Sequence, residues 1–432
     1  MFSIQALVRF RILFGLVLCF GLLSSIAKGE IALRYTEPTF FFPYFGFSWL
    51  PYIGDAWILP LHILLIICSL AISVGFCYRA AVAIFFIGFG YLHFLDSTNY
   101  INHYYLVLLL LGLLFFVPAN KCFSVDLFLG RVEEEAQINA IWYRLLQFQI
   151  AVVYFFAGVA KLNSDWLFSA MPLRIWFLQA ASNPLIASLP FVGDLLALRE
   201  TAFVAAWAAA AYDLTIWAWL LWRPTRRVAF AAVIGFHFFT ALLFDIGLFP
   251  YLMPIAGLLF FAEADKGAAQ KQQAESEAAE TKATKRILYF AAPYILLQIL
   301  LPLRGYFLYS GNILWHEEGY RWSWRVMLVE KEGVATFWVT DSASGQTEIV
   351  DNAAFLSPFQ QKRLIQPEHI LLFAQYLSRY YAETKGWHAP KVQADVRITL
   401  NARRSRPLVD TSVNLAAEPW SLAQKTWLLP LE

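Results

Sequence analysis

The stretch RLLQFQIAVVYFFAGVAKLNSDW, residues 144–166, decides how this chain is built. Its apolar run is long enough to predict a helix crossing a bilayer core of ~30 Å. Gly158 lies near its end, a lone ammonium, Lys161, stands at the end, and Asn163-Ser164-Asp165-Trp166 follows as a cap. By position alone, Lys161 reads as an anchor whose aliphatic stem runs along lipid while its charge rests at the interface. The other reading is a functional amine.

Composition extends the membrane reading to the whole chain. Its 432 residues are 59% hydrophobic and only 15% charged, with a mean hydropathy of +0.54, which is not the balance of a soluble protein. Aromatics make up 17%, including 16 Trp, 20 Tyr and 39 Phe, enough for interfacial belts and a roomy apolar pocket. The net charge is +2 and no basic patch is interleaved with aromatics, so no nucleic-acid partner is expected. Cys19, Cys68, Cys77 and Cys122 all fall in the first third, show no metal-ligand spacing and leave the C-terminal region without a disulfide. Neither a dinucleotide glycine fingerprint nor a P-loop is present, and no metal is expected.

Apolar runs recur through the first 300 residues, with starts near Arg11, Trp57, Ala80, Tyr104, Tyr143, Thr201, Val228, Gly247 and Ile287. About nine transmembrane helices are expected, the third, fourth, seventh and eighth short or weakly bounded. Every second loop is basic: Arg9 and Arg11, Arg79, Lys121 to Arg144, Arg223 to Arg227, and Lys266 to Arg286. That alternation predicts a cytoplasmic N-terminus and an exterior C-terminus. The first span has a second reading as a cleaved signal peptide, since SSIAKG resembles a small-residue cleavage site; eight spans would leave the C-terminus outside all the same. Residues 263–286, rich in Ala, Glu, Lys and Gln, read as a solvated helix or flexible cytoplasmic linker.

The pattern changes near Leu303. RWSWRVMLVEKEGVATFWVTD (321–341) reads as two strands around a Lys-Glu-Gly turn, and Ser342 to Gly345 as the next turn. Pro367 to Thr384 reads as an amphipathic helix closed by Gly386, and Val392 to Leu400 as an alternating strand ending in NARRSR. The expected fold is therefore a polytopic α-helical membrane protein carrying a small exterior α+β domain, mainly β. Residues 1–302 would form the membrane domain and 303–432 the exterior one.

Two polar clusters compete for chemistry with Lys161. In FLDSTNYINHYYL (94–106), Asp96, Asn99, Asn102 and His103 precede an apolar helix. They read as caps with a histidine at headgroup level, or as polar groups for an apolar acidic substrate such as a quinol, on the same side as Lys161. In GFHFFTALLFDIGLFPYLM (235–253), His237 lies inside a span, where an ionisable group is costly. It is either satisfied by a neighbouring helix carbonyl or functional.

Four blocks, FLDSTNYINHYYL, YFFAGVAKLNSDWL, FHFFTALLFDIGLFPY and GYRWSWRVML, resemble the vitamin K-dependent γ-glutamyl carboxylase family and its bacterial relatives with a horizontally transferred transmembrane (HTTM) module. ADVRITLNARRSRPLVDTSVNLAAEPW adds a weaker fifth, so the likeness covers roughly Ile12 to Trp420. The resemblance implies that Lys161 is the base that deprotonates vitamin K hydroquinone, a menaquinol-type naphthoquinol, with Ala160 replacing the family's neighbouring lysine. It implies that His103 and Asn102 help hold the quinol, and His237 is a further candidate there. Tyr320 falls where the family has a tyrosine near the glutamate substrate, and Trp324 is read as lining the same place. A histidine of the animal enzymes corresponds to Val329, a departure that touches glutamate recognition more than quinol chemistry.

The implied reaction couples oxidation of the quinol by O2, giving the epoxide, to addition of CO2 at the γ-carbon of Glu in a peptide or protein. A lysine buried at the membrane edge has its ammonium form destabilised, so a free amine is expected there. The implied setting is a bacterial inner membrane with the C-terminal domain in the periplasm. Two other functions fit less of the pattern: a quinol epoxidase or oxygenase that never carboxylates Glu, and a non-enzymatic transporter or lipid-binding protein. No related halves support the transporter.

Overall fold

A computed structural model describes residues 1–263 and 275–431. Among the described residues, its framework is a bundle of nine helices: α1 (Gln5–Ala27), α2 (Asp55–Val74), α3 (Tyr78–Leu95), α4 (Asn102–Phe116), α5 (Ala140–Ala160), α6 (Arg199–Leu221), α7 (Arg226–Leu243), α8 (Phe249–Gly257) and α9 (Glu275–Phe307), the last apolar over Thr284–Phe307. Among the described residues, seven are long and apolar enough to cross a membrane, while α4 and the Phe249–Phe261 segment are shorter. These two are the fourth and eighth expected spans. Large apolar side chains stay exposed along the outer faces, among them Phe20 of α1, Ile67 of α2, Ile87 of α3, Trp219 of α6 and Phe238 of α7. An apolar outer surface around an apolar core is the arrangement lipid demands of a helix bundle.

Helix α1 is a core element. Phe10, Phe14 and Leu18 are buried, and the sealed Arg11 guanidinium donates to the carbonyls of Ala119 at 2.8 Å and Phe123 at 2.6 Å. Of the expected 263–286 linker, residues 264–274 lie outside the described residues, and from Glu275 the chain is helical and continuous with α9.

The C-terminal module packs α10 (Pro367–Lys385) on a four-stranded antiparallel sheet in the order β2-β1-β3-β4, with β1 Lys331–Thr340, β2 Thr347–Ile349, β3 Lys391–Leu400 and β4 Arg406–Pro407. Alternation sets the buried face. Val392, Ala394, Val396, Ile398 and Leu400 are fully buried, in one core with Phe337, Val339, Leu371 and Phe373. Gly386 closes α10 in the left-handed region, as its position after the periodic run predicts.

One expectation is corrected. The two strands read around Lys-Glu-Gly are a single strand, because β3 pairs with β1 along its full length, Lys331 opposite Leu400 and Thr340 opposite Lys391. Residues 321–330 ahead of it are irregular, with Trp322, Trp324 and Met327 at positive φ.

The module is fastened to the bundle through residues that read as caps. Asp165 accepts from Arg403 at 2.7 and 2.5 Å and from Asn401 at 2.8 Å. Asp96 caps Thr98 at 2.8 Å and accepts from Gln360 at 2.7 Å, while Ser97 bonds to His369 at 3.0 Å.

Candidate active site

Lys161 follows α5, and its side chain folds back along its own helix. Nζ lies 3.4 Å from the Ala157 carbonyl, 2.7 Å from Asp213 Oδ2 on α6, and 5.2 Å from the Trp166 ring centre. Lys161 and Asp213 are each only 5% exposed, so the charge points into the bundle and the interfacial anchor is ruled out. The expectation that burial alone leaves a free amine is also corrected, since the fold supplies a carboxylate counter-ion. Gly158 makes this approach possible: a Cβ there would come 2.6 Å from Leu214 N and 2.7 Å from Leu214 Cγ. With no side chain at 158, α5 and α6 touch backbone to backbone one residue beyond Asp213.

Asp213 escaped the sequence reading, although its signal is present. It is the one carboxylate in AAWAAAAYDLTIWAWLLW (205–222), and an ionisable residue within a span marks a site or a partner.

The pair opens on a largely aromatic cavity enclosing about 780 Å³, counting the part open to its surroundings. Trp166, Phe236, His237, Phe249 and Met327 help line it. At its rim, the Trp176 indole N–H donates to the Glu330 carboxylate. The size and the few polar groups suit a ligand with an apolar body and hydrogen-bonding oxygens.

His237 lies in α7, with Nε2 3.1 Å from the Tyr154 hydroxyl and Nδ1 sealed from solvent without a hydrogen-bond partner. The neighbouring group is thus a tyrosine, where a helix carbonyl was the plain expectation. His103 packs against Gly247, whose φ of +62° and missing Cβ let the turn approach; a Cβ would sit 3.2 Å from His103 Nε2. His103 does not line the Lys161 cavity. Phe249 links the two histidines, its ring centre 6.4 Å from His103 and 5.7 Å from His237.

The remaining candidates scatter. Asn102 donates from Nδ2 to the Arg325 carbonyl at 3.0 Å and accepts from the Tyr100 hydroxyl at 3.0 Å, which fastens α4 to the 321–330 segment. Tyr320 is half-buried beside Arg325, and burial pushes its phenol up. Trp324 is fully buried and stacks on Tyr105 at 5.0 Å. It is a core residue away from the cavity, which its neighbours Val326 and Met327 line instead.

Two family models match this architecture. The HTTM domain matches residues 2–265, which hold Lys161, Asp213, His103 and His237. The lumenal domain of the vitamin K-dependent gamma-carboxylase matches residues 283–432, which hold the module, Tyr320 and Trp324. No solved structure matches the chain. The chain belongs to the HTTM domain family and joins that membrane domain to the lumenal domain of the vitamin K-dependent γ-carboxylases.

Proposed function

We propose that the protein is a γ-glutamyl carboxylase-like enzyme that oxidises a naphthoquinol in the Lys161 cavity and carboxylates Glu in a peptide or protein. The observation that carries this reading is the sealed Lys161–Asp213 pair facing an aromatic cavity. The residues fit a naphthoquinol. The cavity is apolar and roomy, its rings can stack on a bicyclic body, and the orphaned Nδ1 of His237 lacks a partner. When bound, the quinol supplies the reducing equivalents whose consumption by O2 furnishes a base strong enough to remove a γ-proton of Glu before CO2 adds.

The protein's own part is modest. As ammonium and carboxylate the pair is neutral overall, and with the proton moved to Asp213 Oδ2 it is still neutral and offers an amine at Nζ. Lys161 can therefore take up a proton in a low-dielectric site without a lone charge being buried beforehand. Trp166, Phe236 and Phe249 orient an aromatic ligand and exclude water, and His237 with Tyr154 holds an oxygen. His103 positions Phe249 and the Gly247 turn. Val326 and Met327 bring the 321–330 segment to the cavity wall, and Glu would arrive along this segment, past Tyr320. The alternating basic loops support a cytoplasmic N-terminus with the module, from about residue 303, on the exterior side, which is the periplasm if the membrane is a bacterial inner membrane.

One observation favours a quinol oxidase without carboxylation. Val329, which stands for a histidine of the animal enzymes, is a half-buried apolar residue packed on the module core.

The test uses protein in nanodiscs with reduced vitamin K, O2, labelled bicarbonate and a Glu peptide, following epoxide and fixed label together. The control is Lys161→Met combined with Asp213→Leu, which removes the amine without stranding a carboxylate. Both products, lost together in the control, are the expected result. Epoxide without fixed label across several Glu peptides selects the oxidase, and neither product from folded protein refutes both enzymes.

A further inference from the structure

We propose that Arg325 is a carboxylate-binding site that receives the acidic side chain of a peptide at the junction of module and membrane bundle. Its role toward substrate rests on the carboxylase-like reading above. Arg325 is 3% exposed, and its Nε and Nη2 atoms are sealed from solvent with no hydrogen-bond partner. Its guanidinium faces the rings of Tyr306 at 4.6 Å and Tyr320 at 5.8 Å, and no carboxylate pairs with it among the described residues.

The other deeply buried cations among the described residues are answered. Arg11 has the carbonyls of Ala119 and Phe123, Lys161 has Asp213, and Lys331 has Glu317 at 2.8 Å. Half-buried Arg304 donates to the carbonyls of Leu301 and Arg321, and Arg321 pairs with Glu368. The acids near it in sequence are committed elsewhere or face solvent: Glu330 accepts from the Trp176 indole, Glu317 pairs with Lys331, Glu318 pairs with Lys425, and Glu332 is exposed.

A cation stripped of water and left without an anion is among the costliest features a fold can hold, and ring faces recover only part of that cost. A guanidinium presents paired donors that match a carboxylate in a bidentate geometry. The position suits an acidic side chain arriving from the module side. Tyr306, one of its two covering rings, is 47% exposed. Gly305 puts no side chain against Nη2, where a Cβ would lie 3.5 Å away. Asn102 holds the Arg325 carbonyl at 3.0 Å, and the next two residues, Val326 and Met327, line the Lys161 cavity. A carboxylate seated on Arg325 would thus lie beside the wall of the proton-handling site.

The experiment reads binding without quinol turnover. Wild-type protein in nanodiscs is titrated directly with a short Glu peptide, its Gln counterpart, and bicarbonate. Tighter binding of the Glu peptide than of its Gln counterpart is expected. Arg325→Gln should weaken the Glu peptide by about tenfold or more while leaving the Gln peptide unchanged, and Arg325→Lys should lose less. Equal affinity for Glu and Gln peptides, or unchanged Glu-peptide affinity in Arg325→Gln, overturns the proposal. Bicarbonate binding that is lost in Arg325→Gln, with peptide binding unchanged, overturns the peptide assignment. An absent epoxide signal would count against the enzyme and leave this binding result to stand or fall by itself.

Discussion

Lys161, the residue that caps α5, places Nζ 2.7 Å from Asp213 Oδ2 in the middle of α6, both side chains nearly sealed from solvent. Each group compensates the other's charge in a place where neither could stand alone, so the pair is at once a structural contact and the centre of the proposed chemistry. The two roles separate by experiment.

Lys161→Met alone strands a buried carboxylate and should destabilise the protein by about 3–5 kcal/mol. Adding Asp213→Leu should restore most of that loss, because two apolar side chains replace an ion pair in an apolar setting. Thermal unfolding in detergent checks this. A single mutant as stable as the double would mean that the pair is not formed.

Asp213→Asn keeps the shape and removes the charge. Quinol oxidation should fall at least about tenfold in kcat, within the range for losing a positioned proton-transfer group, with KM for the quinol little changed. Asp213→Glu should recover part of the rate. Equal kcat in wild type and Asp213→Asn would remove Asp213 from the mechanism.

Gly158→Ala tests the close approach that makes the pair. The added Cβ meets Leu214 backbone and side chain at 2.6–2.7 Å, an overpacking worth about 1–3 kcal/mol. Lower stability together with lower activity is expected, read by unfolding and by epoxide formation; an unchanged protein would show that α5 and α6 are farther apart.

The module's joint to the bundle should weaken in acid. His369 Nδ1–H donates to Arg363 O at 2.9 Å, and Nε2 accepts from Arg321 at 2.8 Å and Ser97 at 3.0 Å. Burial, then the Arg321 charge, hold this imidazole well below its ordinary value, and burial lowers His316 to about 4. Below the ordinary histidine value of ~6.5 the unfolded chain binds the proton more readily, so the contribution is fully present above ~6.5 and is lost as pH falls from there. Protease resistance of the module should drop between pH 7.5 and pH 5, and His369→Phe should flatten part of that drop.

Arg403→Met should loosen the same joint on its other side. It removes both Arg403 bonds to Asp165 and leaves that buried carboxylate only the Asn401 amide. Loss of charge-assisted hydrogen bonds predicts a cost of about 1.5–3 kcal/mol at most, reduced because Arg403 is partly exposed. Hydrogen exchange in β3 and in the short helix Ser164–Ser169 should rise together; a rise in only one would mean that the clamp does not couple them.

Local pattern carried much of this protein into view. Apolar runs located nine helices among the described residues, seven of them long enough to cross a bilayer, since lipid leaves a spanning segment no other way to satisfy its backbone. Alternation placed β3, and proline with glycine bounded α10. Lys161 and His237 were visible because a charge or imidazole in an apolar run is conspicuous. The Lys-Glu-Gly segment misled because its turn-like composition was overridden by pairing with β3, a partner some sixty residues away.

Tertiary structure alone decided the rest. That Lys161 points inward to Asp213, that Asp165 and Asp96 fasten the module, that Trp324 is core while Val326 and Met327 meet the cavity, and that Arg325 is buried without an anion all depend on which helix faces which. The physical reason is that a sequence states what each residue can pair with over one or two turns. Charge compensation and burial are settled by groups distant along the chain, brought within 3 Å only when the helices pack.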